Sequence, residues 1–113
     1  MQNSKTTADY VPVTKTDTIR EGRGKAFTVN GRRIAIFNEN GTFYATDNTC
    51  PHAMGSLGRG RIRNCTIVCP VHGYAYHAET GHCQTDPRLA IRTYPIQVQG
   101  DQIAVSVTQH AED

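Results

Sequence analysis

The sequence contains no tryptophan, few aromatic residues and no long apolar run. Hydrophobic residues make up 37% of its 113 residues and aromatic residues 7%, which allows a modest core for a single domain. The apolar run at residues 34–37 is far shorter than the roughly 20 residues that a membrane-spanning helix needs. Residues 1–8 are polar and lack the hydrophobic region of a signal peptide. We therefore expect a cytoplasmic protein with no membrane partner.

A strong charge of either sign is also absent. Lys and Arg number 12 and Asp and Glu number 10, so the formal net charge is +2, too close to neutral to indicate nucleic acid binding. Aromatic and basic residues do not interleave as they do on platforms for single-stranded nucleic acid. The sequence therefore predicts no nucleic acid partner.

Zinc-type Cys-x2-Cys pairs are missing as well, although the chain has 4 cysteines. Two of the cysteines precede a histidine closely instead, in Cys50-Pro51-His52 and Cys69-Pro70-Val71-His72. Two thiolates and two imidazoles make a four-ligand site for a soft or borderline metal. The unequal spacing within the two motifs favours a site that bridges two metal atoms, and a single zinc ion is the alternative.

The rest of the pattern is that of an all-β protein. Asn30-Gly31 separates residues 25–29 from 32–38, Asn40-Gly41 precedes residues 42–46, and Gly100-Asp101 links residues 94–99 to 102–108. Apolar and polar residues alternate in the last two segments, which predicts half-buried strands packed on a second layer. No segment keeps a helical period, so little helix is expected.

The middle of the chain has a different composition. Residues 47–60 are poor in apolar side chains and rich in glycine, which predicts tight bends. We expect one strand over residues 61–69, then the second Cys-His loop and a strand over residues 74–78. The whole chain, 1–113, is then one domain, with a small metal-binding subdomain at residues 47–80. Its base is formed by residues 9–46 and 81–108.

The two motifs resemble those of Rieske proteins, in which two histidines replace two cysteines at one iron of a [2Fe–2S] cluster. The resemblance extends over residues 10–107 and includes Thr80-Gly81, residues 92–95 and Gly100-Asp101. It implies an antiparallel β-sandwich base with an inserted cluster-binding subdomain. It also implies one [2Fe–2S] cluster, with Cys50 and Cys69 on one iron and His52 and His72 on the other.

The same resemblance implies a place in the potential range of the family. High-potential members join their two loops by a disulfide and carry a serine after the second loop, whereas this chain has Gly55, Val71 and Tyr74 at these positions. Tyr76 stands where high-potential members have a tyrosine bonded to a cysteine sulfur, with simple strand packing as the alternative role. We expect a potential in the lower part of the range from roughly −150 to +300 mV.

Several other polar residues receive smaller roles. Cys65 and Cys83 are expected to be reduced, half-buried strand residues, and His77 and His82 surface or turn residues. Residues 86–89 resemble the proline-containing loop that covers the cluster in this family and supplies backbone donors to sulfur. The arginines beside the first loop form either a solvated face or a surface that steers an acidic partner; they are Arg59, Arg61 and Arg63.

The resemblance implies an electron carrier and not an enzyme, because the motif leaves no vacant coordination position and no nucleophile–base pair stands out. One reading is a monomeric ferredoxin that carries electrons from an NAD(P)H-dependent flavoprotein ferredoxin reductase to a terminal aromatic-ring oxygenase, docking transiently near His52 and His72. The alternative is the permanent small subunit of an assimilatory nitrite reductase. A colourless, zinc-stabilised interaction module is a third possibility.

Overall fold

Short polar turns divide the chain into strands of two to eight residues. The computed structural model describes residues 10–51 and 54–108. Within them, the strands are β1 (Val11–Lys15), β2 (Arg23–Val29), β3 (Arg32–Glu39), β4 (Thr42–Asp47), β5 (Arg61–Arg63), β6 (Thr66–Val68), β7 (Ala75–His77), β8 (Thr93–Tyr94), β9 (Ile96–Gln99) and β10 (Gln102–Val105). Two 3-10 turns, Thr16–Thr18 and Leu57–Arg59, are also present, and no helix in these residues is long and apolar enough to cross a membrane.

The described strands form two antiparallel sheets, as the all-β prediction requires. The smaller sheet has the order β1-β10-β9, and the larger has the order β7-β6-β5-β2-β3-β4-β8. The smaller sheet and the centre of the larger one pack together around an aliphatic core that includes Ile34, Ile36, Ile103 and Val105. These two layers form the base of the molecule. The outer strands β5, β6 and β7 extend the larger sheet toward the Cys-His loops.

Strand β3 belongs to two cores at once. Ile34, Ala35, Ile36 and Phe37 are all 0% exposed. Successive side chains of a strand point to opposite faces, so Ile34 and Ile36 enter the base core while Ala35 and Phe37 enter a second core beneath the loops. The loop region is therefore built directly on the central strand of the base.

The predicted hairpin turns are confirmed. Val29 pairs with Arg32 across Asn30-Gly31, and Asn30 and Gly31 have φ values of 50° and 80°. This left-handed conformation is the one that a two-residue turn with the twist of its strands requires. The turns at Asn40-Gly41 and Gly100-Asp101 also join paired strands.

Two predicted strands are wrong in extent. Residues 61–69 form the hairpin β5–β6, because the chain turns at Asn64-Cys65, where φ is 53° and 60°. Residues 94–99 do not form one strand, because β8 pairs with β4 while β9, after Pro95, pairs with β10 in the other sheet. Proline lacks the N–H that would continue a ladder.

Candidate metal centre

The two predicted cysteine ligands lie in adjacent loops at one end of the larger sheet. Cys50 follows β4 and Cys69 follows β6 directly. Each loop is closed by backbone hydrogen bonds, from Cys50 N–H to Gly55 O at 2.9 Å and from Cys69 N–H to Tyr74 O at 2.8 Å. Both cysteines are therefore fixed by a paired strand before them and by loop closure after them.

The two thiols are buried and interact with each other. Cys50 is 0% exposed and Cys69 is 1% exposed. Burial is the main cause that raises the pKa of Cys69, the contact with Cys50 raises it further, and the Val71 N–H, 3.4 Å from the Cys69 sulfur, lowers it. Two neighbouring thiolates repel each other unless a cation neutralises them. The pair therefore suits a metal centre that accepts thiolate ligands.

The histidine of the second motif has a different environment. His72 is exposed at the tip of its loop, and both His72 and Gly73 have left-handed backbone, with φ of 65° and 70°. The loop therefore turns sharply just after it leaves the buried Cys69. His52, the histidine of the first motif, lies outside the described residues.

The loops approach each other too closely for larger side chains. A Cβ atom at Gly55 would lie 2.7 Å from Val71 Cγ2 and 3.5 Å from the Cys69 sulfur. Gly55 and Val71 are the positions where the resemblance locates the disulfide of high-potential members, and the structure does place them side by side. No disulfide joins any cysteines of the described residues, so the two loops are not linked in this way.

Tyr76 contacts a candidate ligand, as the resemblance implies. Its hydroxyl oxygen lies 3.2 Å from the Cys50 sulfur, within hydrogen-bonding distance, and the side chain is 0% exposed. Burial and then the contact with Cys50 raise the pKa of Tyr76. A buried neutral hydroxyl beside the sulfur is positioned to donate to a thiolate.

The smaller predictions have mixed outcomes. Cys65 is half-buried as predicted, and Cys83 is fully buried. Neither lies on a strand, because Cys65 is in the turn before β6 and Cys83 forms an isolated bridge with Tyr76. Residues 86–89 do cover the loop core, since Leu89 packs against it. The Asp86 N–H points to the sulfur of Cys83 at 3.3 Å, so the backbone donor observed from this loop serves a cysteine outside the motif.

Sequence reasoning missed Asn48, which shapes the first loop. Its side-chain oxygen accepts hydrogen bonds from Gly58 N–H at 2.9 Å and from the Ser56 hydroxyl at 3.2 Å. Its backbone oxygen accepts one from Leu57 N–H at 2.7 Å. The available signal was a polar residue at the end of a strand, where asparagine often bonds to nearby backbone.

A groove with more basic than acidic residues, called the basic groove below, runs beside the second loop. It has a volume of about 850 Å³, and its walls include Cys69, Pro70 and Gly73 of the loop. Four arginines and two glutamates also line it: Arg23, Arg59, Arg61, Arg63, Glu21 and Glu39. The arginines are exposed, and within the described residues none of them forms an ion pair. With four arginines against two glutamates, the groove brings a net positive charge to the edge of the candidate metal centre.

Comparison with known families identifies the type of centre. The sequence model of the Rieske [2Fe-2S] domain matches residues 9–95. The chain belongs to the Rieske [2Fe–2S] family. The Rieske domain carries one [2Fe–2S] cluster, and the buried thiols and the exposed imidazole found here are the donor types that such a cluster needs.

Relatives with similar sequences are ferredoxin components. The chain is 31% identical over 91 residues to the ferredoxin component of a naphthalene 1,2-dioxygenase system from Pseudomonas aeruginosa, covering 80% of this chain and 88% of that one. It is 33% identical over 105 residues to the ferredoxin component of the p-cumate 2,3-dioxygenase system from Pseudomonas putida, covering 90% and 89%. These relatives are electron-transfer components, and so is this chain; it is not itself a catalytic enzyme.

Solved structures give the same fold. The ferredoxin of carbazole 1,9a-dioxygenase from Nocardioides aromaticivorans IC177 superposes with a TM-score of 0.79 at 29% identity, covering 86% of this chain and 96% of that one. A Mycobacterium tuberculosis structure described as the small subunit of an NADH-dependent nitrite reductase also reaches 0.79, at 24% identity, covering 85% and 92%. The second likeness shows a shared fold.

Proposed function

We propose that this chain is the ferredoxin of a multicomponent oxygenase system. It receives single electrons from an NAD(P)H-dependent flavoprotein reductase and delivers them to a terminal aromatic-ring oxygenase. The observation that carries the proposal is the pair of buried, contacting thiols Cys50 and Cys69 beside the exposed His72, in a chain of which 90% aligns with such a ferredoxin component.

The proposed ligands divide into two pairs. Cys50 and Cys69 would hold one iron as thiolates, and His52 and His72 would hold the other as neutral imidazoles. The cluster supplies a one-electron centre whose formal charge, when oxidised, is about 0 instead of the roughly −2 of an all-cysteine cluster, so its potential is higher. The protein excludes water from the sulfur side, and it adds the Val71 N–H and the Tyr76 hydroxyl next to the sulfurs.

Docking is proposed near His52 and His72. The tip that carries His72 is exposed, whereas the cysteine side is closed by the core of the loop region. An electron therefore has its shortest exit at the tip, and the basic groove next to it attracts an acidic partner surface. A carrier of this kind docks transiently and is a monomer between encounters.

We also propose how the domain is divided and where in the cell the carrier works. Residues 47–80 act as the cluster-binding subdomain on a base of residues 9–46 and 81–108, within a single domain spanning 1–113. The carrier works in the cytoplasm, where NAD(P)H is available. Cysteines without disulfides in the described residues fit a reducing compartment.

The nitrite reductase reading stays as a second candidate because of the fold similarity noted above. A permanent subunit co-purifies with its large partner, whereas a ferredoxin elutes alone as a monomer. Purification from the native cells, followed by size-exclusion chromatography and identification of bound proteins, distinguishes the two. Recovery with one large sirohaem-containing subunit contradicts the ferredoxin proposal.

The cluster itself is tested on protein purified without oxygen. We expect two irons and two acid-labile sulfides per chain, a red-brown colour, and a paramagnetic signal that appears on reduction. Stoichiometric zinc without iron or sulfide contradicts the proposal.

A functional assay then mixes the chain with the reductase and oxygenase of a naphthalene 1,2-dioxygenase system and measures NADH-dependent reduction of the chain and reoxidation by the oxygenase.

A further inference from the structure

A second group of metal-ligand side chains lies at the other end of β6 from Cys69. The Cys65 sulfur, a ring nitrogen of His77 and a carboxylate oxygen of Glu79 all lie within 4.8 Å of one another. Cys65 precedes β6 and Cys69 follows it, and four residues of a strand span about 13 Å. The group is therefore separate from the loops that hold the proposed cluster.

The backbone holds Cys65 in place. It lies in the β5–β6 turn in a left-handed conformation with φ of 60°, which an ordinary side chain adopts only where its surroundings fix it. The Glu39 carboxylate accepts the Cys65 N–H at 2.8 Å, and the Cys65 oxygen accepts the Ala78 N–H at 2.9 Å. The second contact ties the turn to the segment that carries His77 and Glu79.

His77 ends strand β7, and Glu79 lies on the tight turn that follows it. The Gly81 N–H donates to His77 O at 2.8 Å, and Thr66 next to Cys65 pairs with His77 across the sheet. Thr80 N–H donates to His77 Nδ1 over a long 3.3 Å. A metal bound at Nδ1 would take the place of the Thr80 N–H. A metal bound at Nε2 would leave the ring proton on Nδ1, which then could no longer accept this weak hydrogen bond.

The donor set is one that zinc prefers. A cysteine sulfur, a histidine nitrogen and a carboxylate oxygen bind Zn²⁺ at about 2.0–2.3 Å, and three protein ligands leave a fourth position for water. Tetrahedral ligands at those bond lengths are roughly 3.3–3.8 Å apart, so the groups need shift by little more than 1 Å. Cys65 and His77 are half-buried and Glu79 is exposed, which leaves the site open to entry from solvent.

A neighbouring tyrosine completes the surroundings. The hydroxyl of Tyr44 lies next to the Cys65 side chain. A neutral phenol next to the sulfur is a donor to a metal-bound thiolate, and such outer contacts orient ligands.

We propose that Cys65, His77 and Glu79 form a second metal site, which takes Zn²⁺ or a similar divalent ion of borderline softness. The site does not depend on the proposed electron-carrier function, since none of the three residues belongs to the two Cys-His motifs. It gives a role to residues that the cluster leaves unused.

The test uses the untagged chain with its cluster intact. After equilibrium dialysis against micromolar Zn²⁺, metal analysis is expected to find about one zinc per chain with the iron content unchanged. Cys65→Ala and His77→Ala should each weaken zinc binding by at least about tenfold, and Glu79→Gln by less. His82→Ala is the matched control, because His82 lies on the same turn with an exposed side chain, and it should bind zinc normally.

Thermal unfolding provides a second readout. Zinc should raise the unfolding temperature of the unsubstituted chain and of His82→Ala, but not that of His77→Ala. An unchanged iron content and visible spectrum in each variant shows that the variant is folded. Absence of zinc at these concentrations, equal binding by all variants, or zinc that enters only as iron leaves, overturns the proposal.

Discussion

The base and the loop region are stabilised by different means, although they share β3. The base core is mainly aliphatic, with Ile34, Ile36, Ile103 and Val105 fully buried, and Tyr94 is its buried residue with a hydroxyl. The core under the loops contains the thiols of Cys50, Cys69 and Cys83 and the Tyr76 hydroxyl among its buried groups. Burial of apolar surface is sufficient to hold the base together, whereas the loop region pays a polar cost that metal ligation offsets. Folding stability and cofactor retention are therefore expected to be separable.

The largest effect is expected from Cys69→Ser. Loss of one proposed ligand should reduce iron and sulfide to less than about a tenth of normal, while the far-ultraviolet circular dichroism of the base stays close to that of the parent. Cys83→Ser is the control, because Cys83 is buried in the same core but lies outside the motifs. Full retention of the cluster in Cys69→Ser would remove Cys69 from the ligand set.

Adjacent positions on β3 separate the two regions further. Ile36→Ala should lower the free energy of unfolding by about 2–5 kcal/mol and Phe37→Ala by about 3–5 kcal/mol, measured by urea denaturation. Phe37 lies in the loop core, so Phe37→Ala should also speed release of iron to a chelator. Ile36→Ala should not do so while the protein is folded. Equal iron release from both variants contradicts the division into two cores.

Alkaline pH should weaken the base through Tyr94. Burial and then the Asp47 hydrogen bond raise its pKa from 10.0 to about 12. Because the folded value is higher, this contribution is complete below about pH 10 and is lost as the pH rises to about 12. Tyr94→Phe should therefore reduce the fall in the urea midpoint between these pH values. Part of the fall should remain, because the pKa of Tyr44 on β4 is also raised to about 12.

The basic groove should affect partner encounter and leave the cluster unchanged. Arg61→Glu is expected to slow electron transfer with the reductase or the oxygenase by about three- to tenfold at low salt, and the difference should shrink as salt is added. Lys15→Glu is the control, because Lys15 is exposed on β1 in the base. Stopped-flow rates at several salt concentrations measure both. Identical salt dependence in the two variants would make the arginines a merely solvated face.

The smallest expected effect is that of Tyr76→Phe on the reduction potential. The hydroxyl next to the Cys50 sulfur stabilises the reduced state, which carries more negative charge. Its loss should lower the midpoint by about 20–60 mV, which corresponds to one ordinary hydrogen bond. Spectroelectrochemistry with the cluster intact measures this, and Tyr44→Phe is a control away from the motif. An unchanged midpoint would leave Tyr76 with a packing role alone.

The hairpins and the spacing of the candidate ligands could be predicted from the sequence, because both depend on residues that are close together in the chain. Asn30-Gly31 and Asn40-Gly41 predict turns by themselves. The Asn64-Cys65 turn has neither glycine nor proline and depends on the Glu39 carboxylate, which bonds to it from another strand. The exchange of sheets around Pro95 likewise depends on which strands lie nearby.

In the candidate metal centre, too, local patterns could be predicted and contacts between distant residues could not. Cys50, Cys69 and His72 were predicted from spacing, and the contact of Tyr76 with sulfur followed from the resemblance. The bonds of Asn48 across the first loop could not be predicted, since they join residues 8 and 10 positions apart that meet only after the loop has folded. Strand β1 is short and contains Pro12, so its sequence gives little sign of a strand. It forms because it pairs with β10 from the other end of the chain, which sequence reasoning could not see.

The burial of β3 on both faces has a consequence for how this protein can change over evolutionary time. A substitution at Ile36 that moves the strand backbone also moves Phe37, because neighbouring residues of a strand share that backbone. Tolerated changes in the aliphatic layer should therefore be accompanied by compensating changes among the neighbours of Phe37, such as Gly24, whose added Cβ would lie 2.5 Å from the ring. Evolutionary changes in the base and in the loop region are therefore coupled through residues 34–37 of β3.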